Sequence, residues 1–302
     1  MAILTRRRFL TLTAVASALP FAAPAAPITQ WHGTALGAKA AIYLAHPDAD
    51  AIITRAVAEI DRLESIFSLY RPASALSQLN ASGSLDAPPF ELLECLALCA
   101  RVHTASQGLF DPTVQPLWQL YARKLTAGTL PSEADIAAQM PQIGWSRVRY
   151  DSAAIRLAPG MALTLNGIAQ GFIADQIAAL LSAQGLTDIL INTGELRALG
   201  QMPEAAGWPV TLASGGQIAL TARALATSSP LGTVLDAQGR VGHILNPVTG
   251  HPAAPQWRSV SISAPSAGLA DALSTAACLM PDRAAIDTTL TAFPATRIEA
   301  LA

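Results

Sequence analysis

The sequence predicts an α+β domain. Apolar residues recur at helical spacing in a few segments, short β-type runs lie between them, and neither a fixed-period repeat nor a long linker divides the chain. With 302 residues, 51% of them hydrophobic and 13% charged, there is ample material for a core, and the chain reads as one compact domain rather than two. The same composition excludes a largely disordered chain. The formal net charge is −2, and the two lysines and seventeen arginines form no cluster beyond the first ten residues. A nucleic-acid partner is therefore not expected, because a phosphate backbone calls for clustered cations.

The cluster that does exist has another meaning. Arg6, Arg7 and Arg8 precede Phe9-Leu10 and then an uncharged Ala/Leu-rich run over 11–26, the order of a signal peptide. Paired arginines before x-Phe-Leu have the twin-arginine form, which implies the Tat export machinery as a partner. A membrane anchor is the alternative, but the run is short for a span of ~20 residues. Ala23-Pro24-Ala25 offers a cleavage site, so residues 1–25 are expected to be removed and 26–302 to form the domain. Loss of the three arginines takes the net charge from −2 to −5. None of Cys95, Cys99 and Cys278 lies in a lipobox, so a soluble periplasmic product is expected, with buried free thiols.

A strand is predicted over 38–45 and a helix over 48–67, where Ile52, Val57, Ile60, Leu63 and Ile66 share a face. A Ser-, Asn- and Gly-rich loop over 77–84 leads to a helix over 89–106. Residues 108–125 begin as a turn and become helical, and 131–140 forms a short helix opened by Pro131-Ser132. Strands are predicted over 147–150, 155–158 and 162–165. A helix over 168–184 follows, closed by Gly185, and then a strand over 188–192. Further β-type runs (210–213, 217–221, 259–263), a helix over 267–279 and a last short helix and strand complete the chain.

Five segments carry glycine and side-chain oxygens beyond what packing needs: 68–70, 108–113, 164–171, 243–250 and 270–275. In the third, a strand ending at Leu165 turns through Asn166-Gly167 into a helix, whose free amides and positive dipole end suit a phosphate. In the last, Asp271, Ser274 and Thr275 lie at i, i+3 and i+4 and share one helix face. Such an all-oxygen set suits a hard cation such as Mg²⁺, although Asp271 as a cap and Thr275 bonded to the backbone is the plainer reading. His243 precedes the tight turn Asn246-Pro247-Val248-Thr249-Gly250, and a loop histidine there serves either structure or general-base chemistry.

In this order and spacing the segments resemble the ApbE family of FAD:protein FMN transferases, from about Gly33 to Met280. The resemblance rests on Phe67-Ser68-Leu69-Tyr70-Arg71-Pro72 with Ser74 and Leu79-Asn80, and on the run from Gly108 to Leu117. It also rests on Gly167-Ile168-Ala169-x-Gly171 with Asp175, and on Gly194, Ala226-Thr227-Ser228, 243–250 and 270–275. It implies a single ApbE-like (T-fold-like) domain that takes FAD as substrate, with Leu36, Tyr70, Leu109, Phe110, Asp111, Thr164, Gln170 and Leu245 at the FAD contacts. It further implies Mg²⁺ held by Asp271, Ser274, Thr275 and the carbonyl of Gly167. A Thr or Ser hydroxyl of an acceptor protein would attack the FMN phosphorus and release AMP, with His243 and Asp175 as the catalytic candidates.

The chain departs from the family pattern in having Leu36-Gly37-Ala38 for Met-Gly-Thr, Thr164 for Asp, Gln170 for Lys or Glu, and Asn246 for Asp. Leu-Asn-Gly-Ile-Ala-Gln-Gly together with the twin-arginine signal is similar to a subset associated with nitrous-oxide respiration, which implies a membrane flavoprotein as acceptor. An Mg²⁺-dependent FAD pyrophosphatase and a non-catalytic FAD-binding assembly factor are the competing expectations.

Overall fold

Seven antiparallel strands form the central sheet, and strict alternation along them decides what covers each face. The computed structural model describes residues 27–203 and 205–302, so the expected signal segment lies outside the described residues. β1 (Thr29–Ala35) and β2 (Ala38–Leu44) form a hairpin, followed by helices α1 (Ala49–Phe67) and α2 (Ala75–Ser82), strand β3 (Ser84–Asp86) and helix α3 (Phe90–Ala105). Next come α4 (Gln115–Thr126), α5 (Glu133–Gln139), β4 (Arg149–Tyr150), β5 (Ala154–Arg156) and α6 (Ala169–Ser182). The chain continues through β6 (Ile189–Asn192), β7 (Leu196–Leu199), the hairpin β8 (Trp208–Thr211) and β9 (Gln217–Leu220), then β10 (Ala224–Ser228) and β11 (Val260–Ala264). It ends with α7 (Ala267–Ala277), α8 (Arg283–Leu290) and β12 (Arg297–Leu301).

The large sheet runs β1-β2-β6-β7-β10-β11-β12, while β3-β5-β4 and β8-β9 form smaller sheets. Along β2, Ile42 and Leu44 join the main core with α1, α6 and α7, whereas Ala41 and Tyr43 point the other way, into a second core closed by Trp208, Val210 and Leu220 of β8–β9. A third cluster packs Leu117, Leu120 and Tyr121 of α4 and Ile136 of α5 against Val241 and Leu245. It fixes the loop that carries His243.

The expected α+β order is present, with most helices within two residues of their expected bounds. Two expectations fail. The loop predicted over 77–84 is largely α2, because Ser74 caps it by accepting the Ser77 amide and Leu76 and Leu79 bury beneath it. The strand predicted over 162–165 is not one. Asn80 takes over its pairing: Nδ2 donates to the Leu163 carbonyl at 2.8 Å and Oδ1 accepts the Leu163 amide at 2.7 Å. The three cysteines are buried and free, as expected, and burial pushes Cys278 up to about 12. Among the described residues, no helix is long and apolar enough to cross a membrane.

Because Asn80 satisfies both backbone groups of Leu163, Asn80→Ala is expected to cost about 2 kcal/mol by orphaning a buried amide and carbonyl. Urea unfolding would measure it, and a loss below about 0.5 kcal/mol, the level of a neutral surface change, contradicts this account.

Candidate active site

The site is built where α6 and α7 cross at close range. A Cβ at Gly171 would lie 2.2 Å from the Ala267 carbonyl oxygen, so only glycine lets the N-terminus of α6 approach the start of α7. Asp175, one turn further along α6, accepts the Ala267 amide at 2.8 Å and the Gly268 amide at 2.9 Å. In effect it caps α7 from a neighbouring helix, in addition to Ser266, whose hydroxyl accepts from Leu269. Arg197 Nε lies 3.2 Å from the same carboxylate. Burial pushes Asp175 up to about 6, with the two amides and then Arg197 pulling against it. Asp175 thus orders the helix that carries the proposed ligands, and both its oxygens are spent in doing so.

On α7 the predicted face exists. Asp271 is 4% exposed and Ser274 fully buried, with Thr275 half-buried beside them. Asp271 Oδ2 accepts the Gly171 amide at 3.3 Å. Burial pushes this carboxyl up to about 7, the Gly171 amide opposing and the charge of Asp175 adding. Gly167 closes the other side: a Cβ there would stand 3.0 Å from Thr275 Oγ1. Gly167, Asp271, Ser274 and Thr275 are therefore brought together as the sequence suggests. Two further groups join them. Ser228 Oγ lies 2.7 Å from Ser274 Oγ and 3.3 Å from Thr275 Oγ1. Glu195, which accepts the Thr227 amide, is held well above the ordinary carboxylate range by burial and by the charge of Asp271. Neither sits at a helical spacing from the α7 set; Ser228 belongs to the quoted 226–228 run and Glu195 follows Gly194, so sequence gave them a place but no role.

The donor set fits a hard divalent cation. Among the described residues no three His, Cys, Asp or Glu side chains converge on a metal position, so a site here must use hydroxyl and carbonyl oxygens around one carboxylate, as Mg²⁺ tolerates. No cationic side chain supports Asp271 among the described residues, which leaves a buried carboxyl whose charge a bound cation would complement.

The remaining candidates lie on other segments, each with its own partners. Thr164 donates its amide to the Pro112 carbonyl at 2.8 Å, which ties the 108–113 segment to the glycine turn, while its hydroxyl accepts the Asn166 amide. Asp111 is buried and committed: Oδ1 accepts from Thr113 N and Oγ1, Oδ2 from Trp145 N. Phe110 is buried, with its carbonyl 2.9 Å from His103 Nδ1, and Leu109 is partly buried. Gln170 packs against Gly194, and its carbonyl accepts from Thr193 Oγ1. Leu36 heads the β1–β2 turn at φ 48°, its amide donating to Glu64 Oε1, and Arg71, which follows 59%-exposed Tyr70 in the chain, holds the other oxygen of Glu64. Leu245 is buried and bridges to Pro252.

His243 has its Nδ1 3.0 Å from the Thr233 carbonyl. Burial lowers its pKa, against the carbonyls of Thr233 and Pro230, so the ring is neutral near pH 7. Pro230 lies two residues beyond Ser228, and Gly242 is pressed on its carbonyl, which ties the histidine loop to the segment that follows β10.

The arrangement defines a class: a mixed antiparallel domain with an oxygen-lined, cation-compatible site where two helices cross. Solved ApbE proteins share that fold. The ApbE protein of Thermotoga maritima superposes with a TM-score of 0.79 at 25% identity, covering 91% of this chain and 94% of that one. The apo flavinyl transferase ApbE of Pseudomonas stutzeri gives 0.77 at 24% identity, covering 88% and 87%. The model of the ApbE family matches residues 29–296, and the chain belongs to that family. A curated relative from Chlamydia muridarum, named FAD:protein FMN transferase, is 28% identical over 226 residues, 72% of each chain. One from Escherichia coli K12 with the same name is 24% identical over 246 residues, covering 75% of this chain and 70% of its own.

Since only glycine fits at 171, Gly171→Ala should force α6 and α7 apart and cost about 1–3 kcal/mol, the range of overpacked cores. Thermal unfolding would measure this, and a wild-type melting temperature contradicts the close approach.

Proposed function

We propose that this enzyme, a FAD:protein FMN transferase like its named relatives, moves the FMN half of FAD onto a Thr or Ser hydroxyl of an acceptor protein. The observation that carries the reading is the buried Asp271 carboxyl, which takes the Gly171 amide, shares the α7 face with the Thr275 that stands against Gly167, and has no cationic side chain beside it among the described residues. Asp271, Thr275 and the Gly167 carbonyl would hold Mg²⁺, with the Ser274 hydroxyl beside them bonded to Ser228 and the Asp271 carbonyl, and the ion would supply charge neutralisation at the diphosphate. Leu36 and Tyr70 on one rim, and Leu109, Phe110, Asp111 and Thr164 on another, would line the dinucleotide, with Gln170 and Leu245 closing the set. The aromatic faces suit adenine or isoalloxazine.

In the reaction the acceptor oxygen forms a bond to the FMN phosphorus, the bond from that phosphorus to the bridging oxygen breaks, and AMP departs with that oxygen. The hydroxyl proton goes to His243. With Nδ1–H donated to Thr233, Nε2 is the accepting atom. Asp175 contributes by holding α7 in place. The twin-arginine signal at 1–25 would deliver the chain through the Tat machinery to the periplasm, where the acceptor is a membrane-associated flavoprotein, as in the nitrous-oxide subset.

Incubation with FAD, Mg²⁺ and an acceptor peptide tests the reading. Flavin fluorescence on the acceptor in a gel is expected. AMP with no labelled acceptor would make the chain a pyrophosphatase, and intact bound FAD a carrier. Asp271→Ala and removal of Mg²⁺ by chelation should each abolish labelling; a wild-type rate in either contradicts the cation site.

The lowered pKa of His243 sets the sign of the pH dependence. A base works when unprotonated, so transfer should persist down to below the ordinary histidine value of about 6.5 and fall as pH drops through the lowered value. His243→Ala should lose about 10²–10⁴-fold in kcat together with that limb. Full transfer by this variant removes His243 from the base role.

A further inference from the structure

Three hydroxyls meet beside the α7 face, and their hydrogens can be accounted for one by one. Ser274 Oγ donates to the Asp271 carbonyl at 3.0 Å. A hydroxyl carries one hydrogen, so at 2.7 Å from Ser228 Oγ it is the acceptor and Ser228 the donor. The hydrogen of Ser228 is then spent, and its 3.3 Å contact with Thr275 Oγ1 is filled by Thr275 donating. The relay runs from Thr275 to Ser228 to Ser274 to the Asp271 carbonyl.

A hydroxyl that gives its hydrogen inward presents only lone pairs on its other side. For Thr275 the glycine turn is close at hand, with Gly167 near enough that even a methyl group would be 3.0 Å from Oγ1. Ser228 is itself held firmly. It ends β10 paired with Val260 of β11, and the preceding Thr227 is fixed twice, its amide donating to Glu195 at 3.2 Å and its hydroxyl 2.8 Å from Ser261 Oγ.

We infer that Ser228 is a positioning residue that makes Thr275 an acceptor-only hydroxyl at the cation site, with Ser274 serving as the relay rather than as a side-chain ligand. Without Ser228 the Thr275 hydrogen is free to turn toward the cation, where it repels the ion it should bind. The inference rests on the cation reading of the proposed function.

Mn²⁺ is the probe, titrated by its electron paramagnetic resonance signal into the mature protein with FAD and no acceptor, so that no turnover is involved. Ser228→Ala should weaken Mn²⁺ binding about fivefold, the worth of one hydrogen bond of about 1 kcal/mol. Ser228→Thr, which keeps the hydroxyl, should restore binding to within about twofold, less than half a kcal/mol. Ser274→Ala breaks the same relay one step further on and should weaken binding likewise, which keeps the test usable if Ser228→Ala does not fold. Wild-type affinity in folded Ser228→Ala or in Ser274→Ala overturns the inference alone, as does Ser228→Thr binding as weakly as Ser228→Ala. Failure of the wild-type protein to bind Mn²⁺ with FAD overturns the cation reading and this inference together.

Discussion

The contact on which the site depends is the crossing of α6 over α7. Gly171 removes the side chain that would keep the helices apart, and Asp175 then binds the amides of Ala267 and Gly268 that the close approach brings within reach. This is helix capping supplied from another helix, and it fixes α7 in rotation as well as position, because two amides on adjacent residues admit one carboxylate orientation. Asp271, one turn on, is thereby aimed back at α6, where it takes the Gly171 amide. One stretch of chain, 167–175, from the turn before α6 into its second turn, therefore supplies the glycine turn, the close approach and the cap.

That geometry has an electrostatic cost. Asp175, Asp271 and Glu195 are all carboxyls in the same buried region, and Arg197 faces only the first of them. Burial pushes all three up, repulsion adds to it at Asp271 and Glu195, and a buried carboxylate without a compensating charge is unfavourable. Such an arrangement is compatible with folding when a group can stay protonated until something positive arrives, which is the behaviour expected of a site that loads a cation together with its phosphate ligand. Strain of this kind belongs at working positions rather than in a core built for stability alone.

What could be read in advance follows the range of the signal. Helical periodicity is local, and α1, α3, α6 and α7 were legible because their buried faces repeat within a few turns. The i, i+3, i+4 set on α7 was legible for the same reason. Residues 162–165 misled because an apolar run carries no record of its partner, which is the side chain of Asn80, 83 residues away for Leu163. Helix α2 was hidden because its eight residues are mostly small and polar, and Leu76 and Leu79 alone supply its buried face. Ser228, Glu195 and Glu64 act only across the fold, so spacing assigned them no function. The aspartate at 111 has a task its motif does not show: its oxygens accept from Thr113 and Trp145, and His103 Nδ1 stands 3.8 Å from Oδ2. It shapes the segment that Phe110 and Leu109 belong to.

The departures from the family pattern gain meaning from the same bonds. At Asn246 the side-chain oxygen accepts the amides of Val248 and Thr249, work that needs an oxygen acceptor and not a charge, so an amide serves where an acid is usual. Thr164 uses its hydroxyl to close its own turn onto Asn166, and Gln170 lies against Gly194 with its backbone carbonyl engaged by Thr193. These substitutions remove charge from the periphery of the site while the α7 oxygens, the glycine turn and the Asp175 cap stand intact. Negative charge near a diphosphate opposes its binding unless a cation intervenes. On the proposed reading, a chain with fewer acidic groups around that centre leans more heavily on Asp271 and on the hydroxyl relay inferred to keep Thr275 turned toward the same point.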